Sequence, residues 1–448
     1  MRSSGGGGAL CDDLLVALDE ETRKKALRVL RRISSGASVP RSGLSEPSWQ
    51  AVGGGAELFD YQEELREKVV RTLTGEGVMG RRGLIAIPTG GGKTRTAAMV
   101  VRDLVEMGAA RTIYWVAPGH ELLFQARDAI MACWRRRDVG RLELGGLRSA
   151  LALKEKSETP KVIFMTAQWL GGRGMDGLSR GLPPADLIVF DEAHHAVAPS
   201  YLEGLEALSL HGSDGGRAPL LGLSATPGRR SDSETKLLAD FFDFRLFISE
   251  TLGNDPIPVL QSRGVLAEVS HVMVSEKHGT IPRVVDWRVR QNTTELMQDP
   301  HRYRAVLEHV GPAIKDGRML LFSGSIAHAE VIAAGLIAMG IRTAAVTSAT
   351  EENDRRRFLR WFREARIRVL VNKDLLTTGF DLPGISSVFL TVPILSAIRY
   401  EQIIGRAIRG PAVGGSERAE VFQFERHEHI HGDLASYSRY WDSYWRPE

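Results

Sequence analysis

Cysteine is nearly absent from this chain of 448 residues: the two present, Cys11 and Cys133, cannot make a disulfide framework or a four-cysteine zinc site. No apolar run approaches the roughly 18 residues of a membrane-crossing helix. The nearest, 388–395, is interrupted by Pro393. The first eight residues carry four glycines and one arginine but no apolar core, so no secretory leader is expected. An excess of one charge sign is also missing. Fifty-eight basic against 55 acidic residues leave +3, which neither requires nor excludes a polyanionic partner. Lysine is scarce, at 11 against 47 arginines. Arginine's planar fork suits phosphate, yet a GC-rich genome produces the same bias. Together these absences point to a reducing, cytoplasmic setting without membrane attachment.

What is present is ample core material. Hydrophobic residues make up 43% and charged residues 25%, which excludes wholesale disorder, and the length accommodates two or three domains. Residues 1–55 differ from the rest. Leu14, Leu15, Leu18, Ala26, Leu27, Leu30 and Ile33 recur at helical spacing over 12–33, followed by a Gly/Ser/Pro-rich linker over 34–55. Beyond them, short aliphatic runs at 83–87, 112–117, 161–166, 187–190 and 220–223 alternate with helical patterns. Being apolar nearly throughout, they read as strands of a parallel sheet buried on both faces. The pattern restarts at 319–322, 343–347, 368–371, 387–391 and 421–424. The chain thus divides into an α/β domain over 56–250, a connection over 251–300, a second α/β domain over 301–430 and an aromatic tail over 431–448.

The first strand leads into Pro88-Thr89-Gly90-Gly91-Gly92-Lys93-Thr94 and then a helical stretch, the setting of a nucleotide-phosphate loop. Consecutive glycines let backbone N–H groups converge on an anion, and the helix N-terminus faces the same point. Lys93 is placed to reach the β- and γ-phosphates of ATP, and Thr94 to hold Mg²⁺. Ile87 stands where the generic pattern has its first glycine. Asp191-Glu192-Ala193-His194 follows the strand at 187–190, at the carboxyl end where open α/β sheets bind ligands. Asp191 is the second Mg²⁺ candidate, and Glu192 the residue to orient and deprotonate water.

With these residues the sequence resembles the superfamily-two helicases in their DEAH-type variant, over about 58–424. Tyr61-Gln62 resembles the adenine-reading element. Pro118, Leu122 and Gln125, and then Thr166-Ala167-Gln168, resemble two motifs that contact the backbone of a nucleic-acid strand. Ser224-Ala225-Thr226-Pro227 resembles the motif coupling the acidic pair, with His194, to strand binding. Ser323, within 322–325, falls in the fourth motif, and Thr378-Gly379-Phe380-Asp381 in the fifth. Gln402, Arg406 and Arg409, within 402–409, match the sixth. The resemblance implies two tandem RecA-like parallel-sheet α/β domains with an ATP cleft between them, Gly379 and Asp381 at the nucleotide, Ser323 and Thr378 at nucleic acid, and Arg406 with Arg409 on the γ-phosphate. It also implies DNA in preference to RNA as partner.

Within the superfamily, the spacing and the 379–381 element look most like type III restriction motor subunits and related DNA-repair or genome-defence helicases, and Gly264-Val265-Leu266 resembles their exit from the first domain. Those subunits carry a nuclease domain, and no metal-nuclease constellation is legible here. Glu425, His427, His429 and His431 read as a solvated strand end. The aromatic tail (Tyr437, Tyr440, Trp441, Tyr444, Trp445) reads as packing on the second domain or on a partner. Two other functions stay open. One is an RNA helicase; the other is an ATP-gated module controlling a protein partner through the N-terminal helix or the tail.

Overall fold

The structure, a computed structural model, describes residues 14–15, 18–34, 57–75, 81–134, 142–146, 159–171, 182–213, 215–229, 231–275, 290–314, 317–373, 384–394, 397–407, 409–425 and 444–448. Two compact units emerge. One is built on the described residues up to Leu260 from position 57, the other on those from Gln261 to 425. The first holds strands β1 (Arg82–Ala86), β2 (Thr112–Ala117), β3 (Glu143–Gly146), β4 (Lys161–Thr166), β5 (Leu187–Asp191), β6 (Leu220–Ser224) and β7 (Arg245–Phe247). The second holds β8 (Glu268–Val274), β9 (Arg318–Phe322), β10 (Thr343–Val346), β11 (Val369–Asn372), β12 (Ile385–Leu390) and β13 (Arg418–Phe424). The last strand, β14 (Arg446–Pro447), belongs to the first unit.

The first sheet has 8 strands in the order β14-β7-β1-β6-β5-β2-β4-β3, and every pair is parallel. Helices Lys93–Glu106, His120–Trp134, Pro199–Leu210 and Asp232–Phe241 make the crossovers that parallel strands require. Every residue of β1, β2, β5 and β6 is buried, which explains the apolar runs along them. Tyr114, Ile188, Phe190 and Leu220 lie together in one core cluster. Truncating buried side chains of this kind to alanine typically costs about 2–5 kcal/mol.

The second sheet has 6 parallel strands in the order β10-β11-β9-β12-β13-β8. Its core takes in the amino-terminal helix. Leu14, Leu15, Ala26 and Leu30 are buried with Val331, Ile332 and Leu336 of the helix Ile326–Ala338. The helix is shorter than its apolar pattern suggests, running over Glu20–Ser34, and its apolar face is covered by this chain itself.

Two segments depart from the sequence reading. Residues 251–300, read as a connection, supply folded elements: helices Pro256–Ser262 and Arg290–Gln298, and β8, which pairs with β13 along its whole length. The end of the chain lies in the first unit, not on the second: Trp445 is buried in the first unit's core. Tyr437, Tyr440, Trp441, His427, His429 and His431 lie outside the described residues.

His328 is buried in the second unit, and that burial, followed by the charge of Arg302, pulls its pKa down from 6.5 to about 3. The unfolded chain therefore binds this proton more readily than the folded one. Stability is intact above pH 6.5 and falls as pH drops from there toward 3. His328→Leu removes the proton uptake. Between pH 7.5 and 5 the wild type should lose about 2 kcal/mol more stability than the variant, read from urea midpoints. Equal losses would show that this imidazole is not held neutral.

Candidate functional site

The register of the first sheet brings the sequence motifs to one edge. Ala86 at the end of β1 lies opposite Ser224 at the end of β6, and Leu223 of β6 lies opposite Asp191 of β5. The loops at 88–94, 191–195 and 224–229 therefore leave three neighbouring strand ends at the same level, where parallel sheets bind ligands.

The phosphate loop is held by its own backbone and by the helix Asp60–Thr74. Gly90 and Gly92 have φ near +91° and +92°, a conformation that side chains disfavour. A Cβ on Gly92 would also collide with the Gln62 amide. Gly92 caps the helix beginning at Lys93, so the helix N-terminus points into the loop. Lys93 Nζ donates to the Ile87 carbonyl at 3.3 Å. Gln62 is committed to the same loop. Its Nε2 donates to the Gly91 carbonyl at 2.9 Å, its Oε1 accepts from the Phe59 N–H at 3.2 Å, and Tyr61 Oη donates to Gly91 O at 2.8 Å. Thr89 and Thr94 are half-buried at the loop.

Asp191 is 2% exposed, and its Oδ1 accepts the Glu192 N–H at 3.0 Å. Glu192 is left-handed, with φ 54°, a strained conformation for a residue with a Cβ, of the kind that gathers at functional sites. This twist ends β5 and turns the glutamate toward His194, whose Nδ1 is 3.5 Å from Glu192 Oε2 and 3.3 Å from Ser224 Oγ. The Ser224 hydroxyl donates to the Thr226 carbonyl at 2.9 Å and accepts from the Thr226 N–H at 3.1 Å. Its proton being used, Ser224 Oγ faces His194 as an acceptor, which assigns the imidazole proton to Nδ1. Burial, then the charges of His195, Arg229 and Lys93, hold His194 well below its ordinary range, so it is neutral. Ala225 is buried between these groups in sequence, and Thr226 Oγ1 has no partner among the described residues.

Sequence reasoning missed two members of this network. Arg229 donates from Nη1 to the His194 carbonyl at 2.7 Å, and Trp445 donates from Nε1 to the Pro227 carbonyl at 2.9 Å. Arg229 lies three residues beyond Thr226 and could have been suspected. Nothing local marks Trp445.

A second grouping forms at the ends of β2 and β4, where Ala117 lies opposite Thr166. Pro118, half-buried, follows the one, and the exposed Gln168 follows the other. Beside them runs a groove of about 650 Å³ lined by Phe124, Arg127, Gly146, Phe164, Thr166 and Trp169, among others. Phe124 is 43% exposed, with the Arg127 guanidinium 5.3 Å from its ring centre. Gln125 Nε2 is buried without a partner among the described residues.

In the second unit, Ser323 Oγ donates to the carbonyls of Asn372 and Ser325, both at 3.0 Å, which binds the ends of β9 and β11 together. Gln402 is buried on the helix Ala397–Ala407. Arg409 bridges Leu266 in antiparallel fashion, and the Gly410 N–H donates to Val265 O at 2.9 Å, so the 264–266 segment braces the end of the sixth motif. Thr378, Gly379 and Asp381 lie outside the described residues, as does the Arg406 side chain. No group of three or more His, Cys, Asp or Glu suited to a metal occurs among the described residues. None of their helices is long and apolar enough to cross a membrane.

A parallel sheet with a glycine-rich loop after β1, an acidic pair after β5 and a second parallel sheet downstream define a nucleotide-binding helicase-type chain. Residues 55–229 match the type III restriction enzyme, res subunit family, and residues 302–411 match the helicase conserved C-terminal domain. The chain therefore carries both domains of a helicase, and the relatives it matches in sequence are superfamily-two helicases. It is 26% identical over 361 residues to the putative ATP-dependent helicase IRC3 of Saccharomyces cerevisiae, covering 79% of this chain and 49% of that one. Among solved structures, a putative HsdR subunit of a type I restriction enzyme from Vibrio vulnificus YJ016 superposes with a TM-score of 0.59 at 21% identity, over 87% of this chain and 67% of that one. S. cerevisiae Dbp5 bound to RNA and ADP BeF3 superposes with a TM-score of 0.55 at 16% identity, over 91% and 88%. These two likenesses show the fold. The chain spans about half or less of the length of the first relatives it matches by sequence.

Proposed function

We propose that the chain is an ATP-dependent motor that moves along or remodels DNA, in DNA repair or in defence against foreign DNA. The observation carrying this reading is the convergence of the loop at 88–94, Asp191-Glu192 and Ser224–Thr226 on three adjacent strand ends, joined through neutral His194. Lys93 and the helix N-terminus receive the β- and γ-phosphates. Gly90 and Gly92, which lack side chains in left-handed positions, leave the loop amides open to them. Buried Asp191 and half-buried Thr94 are an oxygen set that suits Mg²⁺ and would hold it. When bound, the ion neutralises charge on the phosphate oxygens. Glu192 takes the proton of the attacking water, with His194 packed 3.5 Å from its carboxylate and tied to Ser224. Gln402, Arg406 and Arg409 act on the γ-phosphate during turnover, with Gly379 and Asp381 at the nucleotide.

Pro118, Gln125, Thr166 and Gln168 contact the strand from the first unit, and Ser323 and Thr378 from the second. Phe124 adds a ring on which a base stacks. Phe124→Ala should therefore weaken binding of a labelled single strand about tenfold, by fluorescence anisotropy, with nucleotide affinity unchanged. The res-subunit match supports DNA over RNA. Two cysteines, too few for a disulfide framework, suit a reducing, cytoplasmic compartment. The deciding assay is ATP turnover alone and with single-stranded DNA, duplex DNA or RNA. Stimulation by DNA is expected. Greatest stimulation by RNA would favour an RNA helicase, and equal rates throughout would remove the motor reading.

A further inference from the structure

The chain leaves the second sheet at the end of β13 and re-enters the described residues at Tyr444, in the core of the first unit. Residues 444–448 are held there by several contacts. β14 adds to the edge of the first sheet beside β7: the Arg446 N–H donates to Phe244 O at 2.6 Å and the Glu448 N–H to Leu246 O at 2.9 Å. The receiving edge is shaped for it. Asp243 and Phe244 are both left-handed, with φ 56° and 59°, and they end the helix Asp232–Phe241 one turn before β7. Glu448 pairs with Arg245 at 2.6 Å. Trp445, 5% exposed, reaches past the strand to place its indole N–H on the Pro227 carbonyl at 2.9 Å.

Pro227 immediately follows the loop whose Ser224 touches His194. It also lies two residues before Arg229, which holds the His194 carbonyl. The 224–229 loop is therefore pinned from three directions: Ser224 on the imidazole, Arg229 on the backbone of the acidic segment, and Trp445 on Pro227. Pro227 has no N–H of its own to anchor the turn, so its carbonyl is the one backbone handle it offers. A buried indole N–H donating to it fixes the loop where a surface contact would not, because losing the donor leaves a buried carbonyl unsatisfied.

We propose that Trp445 is a positioning residue of the ATPase site: the C-terminal strand clasps the 224–229 loop through the Trp445–Pro227 bond and so sets how strongly nucleic acid stimulates turnover. The effect on turnover rests on the motor reading; the effect on the loop does not. The test uses full-length chains, wild type, Trp445→Phe, which keeps a ring and loses the donor, and Glu448→Ala, which weakens the strand and leaves the indole. Hydrogen exchange over 225–229, melting temperature, and turnover with and without single-stranded DNA are measured on each. In Trp445→Phe, exchange over 225–229 should be about tenfold faster and the ratio of stimulated to basal turnover about fivefold lower, the basal rate falling less than the stimulated one and the melting temperature dropping only modestly. Glu448→Ala should shift both in the same direction by less. Unchanged exchange in Trp445→Phe overturns the proposal, as does faster exchange with an unchanged stimulation ratio. A fall in melting temperature with both turnover rates reduced alike also overturns it, since that is the signature of a merely structural residue. A wild type that no nucleic acid stimulates sinks the motor reading and with it the effect on turnover, while the exchange result still decides whether Trp445 holds the loop.

Discussion

Replacing Lys93 by alanine is expected to lower ATP turnover by about 10²–10³-fold, the usual consequence of deleting one preorganised donor from developing transition-state charge. Lys93 opens its helix directly after left-handed Gly92, and its ammonium lies 3.3 Å from the Ile87 carbonyl, at the mouth of the loop. A triphosphate's oxygens would compete with that carbonyl for the ammonium, and the side chain is only half-buried. Alanine keeps the helix, being its best former, and the fold should change by no more than about 0.5 kcal/mol. Turnover, ATP affinity and melting temperature measured on one preparation separate the possibilities. Wild-type turnover in this variant would mean that the loop at 88–94 does not grip the phosphates. A large fall in melting temperature would mean that Lys93 is structural.

Which parts of this molecule were readable in its sequence follows from where each strand sits. β1, β2, β5 and β6 are buried throughout, so apart from Arg82 at the start of β1 and Asp191 at the end of β5 their residues are mostly apolar or small and the runs stand out. β3, β8 and β14 carry exposed residues at sheet edges and have no such run to find. Residues 268–274 therefore read as connection in the sequence although they pair along a whole strand. Motifs that depend on residue type at fixed spacing are equally legible, and the loop at 88–94, Asp191-Glu192 and Ser224–Thr226 lie at neighbouring strand ends. Contacts between distant residues were not. Gln62, read as the adenine-sensing residue, has both ends of its amide bound to Gly91 and Phe59 backbone, a role no spacing announces. Trp445 looked like one aromatic among several, and only the return of the chain to the first unit puts it on Pro227.

Glu192→Gln should leave ATP binding nearly intact and reduce turnover by about 10²–10⁴-fold, the range attributed to general acid–base groups. The substitution preserves shape, so the left-handed turn at φ 54° carries no new strain and the Asp191 contact to the residue 192 N–H persists. What changes is the ability to accept a proton. The carboxylate lies 3.5 Å from His194, whose Nδ1–H is directed to Ser224 Oγ, and it can take a proton from water. The amide cannot take it at any working pH. Because His194 is held neutral by burial, acidification down to pH 6 should not convert it into a substitute acid, and the variant's residual rate should be flat from pH 6 to 8. Binding of a fluorescent ATP analogue and steady-state turnover across that range check both statements. A variant that still turns over at the wild-type rate would remove Glu192 from the chemistry and leave the strained turn without a catalytic explanation. A variant that loses ATP affinity in proportion to turnover would instead make Glu192 a binding residue, shifting the search for the base to the other unit.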